Sequence, residues 1–249
     1  KYAKYIGQVH PIVTDLKAYI DIYPEERGVK ARGEYTITNT DQTKVIDTLL
    51  LEMQYPNMHT KLKKVLYNGK ELQPVYSDSV YRLFLYKLPE ALLPSATAKL
   101  ILEVSAETKG FANEMETQVL HNGSFLNNQI FPRFHYDRSL VDNGVRRKHG
   151  LEKLDYLLPP RSDSAAIKKN LFNVDANYIN FAATVSTTAD QIAIAPGKLH
   201  RQWTEKDRAY YHYKLESETD LFFNVVSASY DIERAEWIAP SGKKVAIEI

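Results

Sequence analysis

The chain has 249 residues, 44% hydrophobic and 25% charged, with 32 Lys and Arg against 31 Asp and Glu. That balance gives no global field to recruit nucleic acid or an anionic membrane surface, and the absence of cysteine excludes disulfides, thiolate metal sites and a cysteine nucleophile together. No apolar run approaches the ~18–20 residues of a membrane span and the Lys1-Tyr-Ala-Lys opening lacks the apolar stretch of a secretion signal, so a soluble chain with a sizeable core is expected.

From Ile12 the pattern has period two, with Ala18, Ile20 and Ile22 on one face and Lys17, Tyr19, Asp21 and Tyr23 on the other. Pro24-Glu-Glu-Arg-Gly28 turns the chain and Val29 to Thr38 returns, which predicts two antiparallel strands. Ile46 to Tyr55 alternates again, placing Leu49, Leu51 and Met53 on one side. Asn68-Gly69, between short apolar runs, predicts a tight hairpin with a primed turn. Val80 to Tyr86 and Ala98 to Ser105 read as two further strands, joined by the proline-bounded connector Leu88 to Pro94.

The alternation then breaks at Phe125-Leu-Asn-Asn-Gln-Ile-Phe-Pro-Arg-Phe-His-Tyr-Asp137. A Phe-Pro step holds Phe131 extended and removes the backbone donor of Pro132, which suits a strand end or a shaped loop. Asn127, Asn128 and Gln129 set amide donors and acceptors side by side, either to face a polar ligand or to cap their own turns. His135 and Asp137 would share a face of an extended backbone as a weak acid/base or metal pair; the plainer alternative is a loop histidine bonded to a carboxylate. An irregular insertion follows, with the basic run Arg146-Arg147-Lys148 read as a solvated loop face and one short helical segment around Ser164 to Phe172. Strands resume at Phe181 to Thr187, Gln191 to Ala195, Arg208 to Glu216 and Leu221 to Ile232. The alternating run Lys244 to Ile249 ends the chain without a cap, and more chain is expected beyond it.

The expected fold is all-β: a large antiparallel β-sandwich of ~11–13 strands in two or more packed sheets, one domain over residues 1–249 with an irregular insertion about 138–175. No two of the seven histidines lie three to five residues apart, so a His-Glu-x-x-His zinc pair is absent, as are a Gly-x-Ser-x-Gly elbow, a Gly-rich phosphate loop and an Asp-rich calcium loop. No catalytic residue and no metal ligand is therefore assigned within the chain. Seventeen tyrosines, nine phenylalanines and two tryptophans suit a large sandwich core, with a sugar-stacking surface as the alternative.

Four stretches carry a resemblance that runs in order over nearly the whole chain: Leu16-Lys-Ala-Tyr-Ile-Asp-Ile-Tyr-Pro-Glu-Glu26, Gly123-Ser-Phe-Leu-Asn-Asn-Gln-Ile-Phe-Pro132, Asp142-Asn-Gly-Val-Arg-Arg-Lys-His-Gly150 and Val185-Ser-Thr-Thr-Ala-Asp-Gln-Ile-Ala-Ile-Ala-Pro-Gly197. In these the chain resembles the N-terminal β-sandwich domain of the aminopeptidase N-like zinc metallopeptidases, above all the version fused to membrane-embedded ABC-type permeases. The resemblance implies a saddle-shaped, non-catalytic domain laid against a catalytic domain that follows residue 249 and carries the zinc, so that this chain itself needs no cofactor. It implies as partners that peptidase domain, a peptide substrate and a permease membrane domain in the parent protein, with the domain held on the extracytoplasmic side.

In that family a loop leading into a Phe-Pro step lines the substrate cleft. Phe131 and Pro132 match the step. Gly123 falls near the place of the residue that the family uses to hold a substrate amino group, and Asn127, Asn128 and Gln129 are its stand-ins here. The family's Phe-Pro-x-Phe-Asp becomes Phe131-Pro-Arg-Phe-His-Tyr-Asp137, so either His135 replaces the aspartate or two residues are inserted before Asp137. Two other readings stay open: a free-standing carbohydrate- or ligand-binding sandwich, and an interaction module for transporter assembly.

Overall fold

Regular alternation builds the long strands of the first half. The computed structural model describes residues 2–54, 60–108, 110, 118–136, 143–154, 160–164, 170 and 173–249. In it β1 (Ile12–Tyr23) buries Leu16, Ala18, Ile20 and Ile22 and turns Lys17 and Tyr19 outward. β2 (Gly28–Thr38) returns antiparallel, setting Ala18 opposite Gly33 and Ile20 opposite Ala31. Then come β3 (Ile46–Glu52), β4 (Lys61–Tyr67), β5 (Lys70–Glu71), β6 (Tyr76–Asp78), β7 (Leu83–Leu92) and β8 (Thr97–Glu107). Between β4 and β5, Asn68 and Gly69 have φ of 46° and 81°, the primed turn that Asn-Gly selects.

The second half holds β9 (Ser124–Asn127), the short helix α1 (Asn143–Lys148), β10 (Ala176–Thr188), β11 (Ile192–Ile194), β12 (Lys198–Glu205), β13 (Arg208–Lys214) and β14 (Asn224–Ala228). It ends with β15 (Arg234–Ile238) and β16 (Lys244–Glu248). An eight-stranded sheet, ordered β12-β13-β10-β1-β2-β8-β4-β5, forms one layer, and the sheets β3-β7-β6 and β11-β14-β9 pack on it. Leu49 and Leu51, Tyr86 and Leu88, and Leu126, Ala193 and Val225 of the small sheets join Leu16, Ile20, Leu100, Leu102 and Val185 in one continuous core. The fold is an all-β sandwich, with one departure from the antiparallel expectation: β1 and β10 run parallel, Val13 opposite Ala176 and Ile20 opposite Val185.

Three local expectations are corrected. The Leu88 to Pro94 connector is strand as far as Leu92, and Pro89 is tolerated because it lies between Lys87 and Leu92, where the ladder with β3 shifts register and no N–H is needed. The basic run closes α1 instead of lying in a loop, with Arg147 and Lys148 exposed as anticipated. β12 has no counterpart among the expected strands, because nearly all of its residues are exposed and it shows no apolar alternation. Most of the segment Ser164 to Phe172 lies outside the described residues. Among the described residues no helix is long and apolar enough to cross a membrane.

Two tyrosines tie the layers together. The hydroxyls of Tyr211 and Tyr213 donate to the carbonyls of Gln191 and Ala193, at 3.1 and 3.0 Å, so the strand β13 grips the start of β11. Burial pushes the Tyr213 phenol up to about 12, with Tyr211 and Glu248 adding, and burial pushes Tyr86 up to about 12. Both values lie above the ~10 of an unfolded tyrosine, so their contribution to stability is complete below that pH and is lost as pH rises through about 12. The urea midpoint is expected to fall across this window, and the phenolate absorbance of these two residues to lag behind that of exposed tyrosines. A constant midpoint with all tyrosines titrating together would show that neither the Tyr213 nor the Tyr86 phenol is held in the core.

Candidate functional site

The irregular stretch after β9 is held from below by an aromatic stack. Gly33 makes room for it: a Cβ there would lie 2.4 Å from Cε2 of Tyr35, the next residue on the same face of β2. The buried Tyr35 ring meets Phe131 and Phe134 edge-on, with centroids 5.9 and 5.7 Å away. Phe131 is 2% exposed and Phe134 is as deeply set, so the two clamp the loop onto the large sheet. Between them Arg133 bridges to Glu52 at the end of β3 through reciprocal backbone bonds of 3.0 and 2.9 Å, and Gln54 Nε2 donates to the Phe131 carbonyl at 3.1 Å.

On this base sits the amide turn. Asn127 Oδ1 accepts the Gln129 N–H at 3.0 Å and caps one 3-10 turn, Asn128–Ile130, closed by the Phe131 N–H on the Asn128 carbonyl at 3.2 Å. Asn128 N–H donates to the Phe223 carbonyl at 3.0 Å, while its side-chain Oδ1 is buried with no hydrogen-bond partner among the described residues. Asn224, opposite Asn127 on β14, has an Oδ1 in the same condition. The five residues singled out by sequence therefore separate by role. Phe131 and Pro132 are buried anchors, Asn127 is a cap, and Asn128 and Gln129 are half-buried on the turn.

A carboxylate fixes the far side of the loop. Asp175, just before β10, is 3% exposed. Its Oδ2 accepts the Phe134 N–H at 3.0 Å and its Oδ1 meets His135 Nδ1 at 2.7 Å. His10, just before β1, brings Nε2 to 3.9 Å from the same Oδ1, with its ring centroid 5.5 Å from that of His135. Burial pushes the Tyr35 phenol well above its ordinary value, and the Asp175 charge adds to the shift. Asp137, the partner suggested for His135 by sequence, lies outside the described residues; the carboxylate that meets His135 stands 40 positions along the chain. His10 and Asp175 carry no local signal of this meeting. The parallel pairing of β1 with β10 makes it, because it sets the beginnings of both strands side by side.

Solved structures share this fold. It matches the M1 zinc metallopeptidase of Deinococcus radiodurans with a TM-score of 0.58 and 13% identity, over 97% of this chain and 48% of that one. A two-domain M1 zinc metallopeptidase bound to L-tryptophan gives 0.59 and 13%, with the same coverage of 97% and 48%. Aminopeptidase A of Legionella pneumophila, in complex with aspartic acid, gives 0.57 and 14% over 98% of this chain and 24% of that one. At such identities the likeness shows the fold, and the chain spans about half the length of the first two proteins. No protein-family model and no curated protein matches the chain.

Gly33→Ala tests the order of support. The added methyl must displace a ring wedged between two buried phenylalanines, so a loss of about 1–3 kcal/mol in urea unfolding is expected. Stability equal to that of the unsubstituted chain would show that the Tyr35 ring is free to move and is not the platform of the loop.

Proposed function

We propose that the chain is the non-catalytic N-terminal β-sandwich domain of a zinc aminopeptidase-like protein, packing on the peptidase domain and helping to line its substrate cleft. The shared fold with M1 zinc metallopeptidases and the four sequence stretches support this reading. The observation that carries it is the ribbon β15–β16. Across its ladder Ala235 stands opposite Ile247 and Trp237 opposite Val245, so these four share one face, while the ion pairs Arg234–Glu248 and Glu236–Lys244 occupy the other. Every residue of the ribbon is exposed, Trp237 at 52%. A two-stranded ribbon is marginal alone in water, and an apolar face of this kind gains stability from a cover. A peptidase domain following in the chain is the occupant we assign to it.

The zinc chemistry would belong to that domain. The amide turn offers no imidazole or carboxylate and cannot hold a zinc ion; it offers hydrogen bonds. The half-buried amides of Asn128 and Gln129 are hydrogen-bonding groups of the kind that suit the ammonium group of a peptide N-terminus, with Phe131 and Pro132 fixing the turn from beneath. The finer assignment, to a parent held beside an ABC-type permease outside the membrane, draws on the sequence stretches. A sugar-binding role has less to draw on: Trp203 on the outer sheet face is stacked on Tyr210 at 5.0 Å with Arg201 over its ring at 4.7 Å, so it is engaged within the sheet.

In the full-length protein, Asn128→Ala and Gln129→Ala are expected to raise KM for short peptides by roughly tenfold with kcat little changed. Unchanged KM values would remove the turn from the cleft. The 249-residue chain alone is expected to leave aminoacyl chromogenic substrates intact, and chelator-sensitive cleavage by it would overturn the assignment.

A further inference from the structure

We infer that His10, His135 and Asp175 form a site for one divalent transition-metal ion of the zinc class, inside this chain and built from its own residues. Two imidazoles and a carboxylate are the donor set such ions favour. One donor atom from each of the three lies within 4.8 Å of the others. Bonds of about 2.0–2.2 Å hold neighbouring ligand atoms roughly 3–4 Å apart, so the 3.9 Å from His10 Nε2 to Asp175 Oδ1 already fits and the 2.7 Å from His135 Nδ1 opens by a small ring movement.

The surroundings are arranged as a metal site requires. Asp175 is fixed on both sides: the Phe134 N–H occupies Oδ2, and its own backbone is held by Asn173 Oδ1 at 3.0 Å and by the Val13 N–H at 2.7 Å. Oδ1 is thereby aimed at the two rings. His10 Nδ1 lies 3.3 Å from the Gln8 carbonyl, the kind of contact that orients a metal-binding imidazole and leaves Nε2 as the ligand. The Val174 carbonyl, 3.0 Å from that Nε2, supplies a further oxygen at the same point. The histidine side chains are 26% and 21% exposed, which gives an ion a way in, while the carboxylate stays 5% exposed.

Bound there, the ion would fasten three segments at once. His10 belongs to the N-terminal stretch whose Tyr2 hydroxyl donates to Asp78, His135 follows the Phe131-Phe134 clamp, and Asp175 leads into β10. Without an ion the same groups make an ordinary cluster in which the His10 Nε2–H donates to the Val174 carbonyl. The two states differ in stoichiometry and in which side chains they need.

The test uses the 249-residue chain stripped of metal, titrated with Zn²⁺ by calorimetry and with Co²⁺ as a spectroscopic probe. One ion per chain is expected, with visible Co²⁺ bands and a raised melting temperature. His10→Gln and His135→Gln should each weaken binding by at least roughly 10–100-fold, and both positions are exposed enough for the variants to fold. His200→Gln is the control, because His200 and His212 form another close histidine pair among the described residues, with ring centroids 6.4 Å apart. The site is refuted by an absence of stoichiometric binding, by binding that survives both His10→Gln and His135→Gln, or by binding that disappears in His200→Gln.

Discussion

A carboxylate taken out of water must be paid for by partners, and Asp175 dictates much of how this chain is arranged around it. At 3% exposure, an ionised group without hydrogen bonds would cost several kcal/mol. The fold meets that demand with the Phe134 N–H on one oxygen and His135 on the other. Both donors come from the segment just after the Phe-Pro step, so satisfying the charge also fixes that segment. The aromatic clamp of Phe131 and Phe134 on Tyr35 works in the same direction; the Tyr35 phenol is raised by its burial first and by the Asp175 charge second. Neither hold alone would specify the loop. An edge-on aromatic contact tolerates sliding, whereas a backbone N–H bonded to one carboxylate oxygen does not.

The place of that carboxylate follows from topology. In a purely antiparallel sheet the beginning of one strand lies beside the end of its neighbour. Pairing β1 with β10 in parallel instead brings both beginnings to one edge of the core, and with them His10 and Asp175, which are 165 residues apart (175 − 10). The Val13 N–H donating to the Asp175 carbonyl is the point where the strand ladder passes into the polar cluster. One unusual strand pairing therefore assembles what chain proximity could not.

This explains what was legible in the sequence. The faces of β1 and β2, the Asn68-Gly69 turn and the lack of long helices among the described residues follow from local periodicity and turn chemistry, which act within a few residues. Leu50 shows where periodicity runs out. It is buried beside Leu49 and Leu51 because β3 is covered on both sides, its outer face packing with Tyr2 and Leu83. The capping role of Asn127 was legible as one of two local alternatives, since an asparagine two residues before an N–H is a local unit. The partner of His135 was not legible. A histidine and a carboxylate two residues on make a pair that sequence can suggest, whereas the carboxylate that meets His135 among the described residues is brought there by sheet order.

The amide turn and the terminal ribbon then share a physical logic. A buried acceptor without a partner, such as Asn128 Oδ1 or Asn224 Oδ1, costs about 1–3 kcal/mol, and an exposed apolar face loses the burial that would stabilise it. Both are deficits that a chain folding for its own stability would remove, by a serine or alanine at the turn and by charges on the ribbon. Among the described residues the Asn128 and Asn224 acceptors meet no donor, and the face of Trp237, Val245 and Ile247 has no apolar cover.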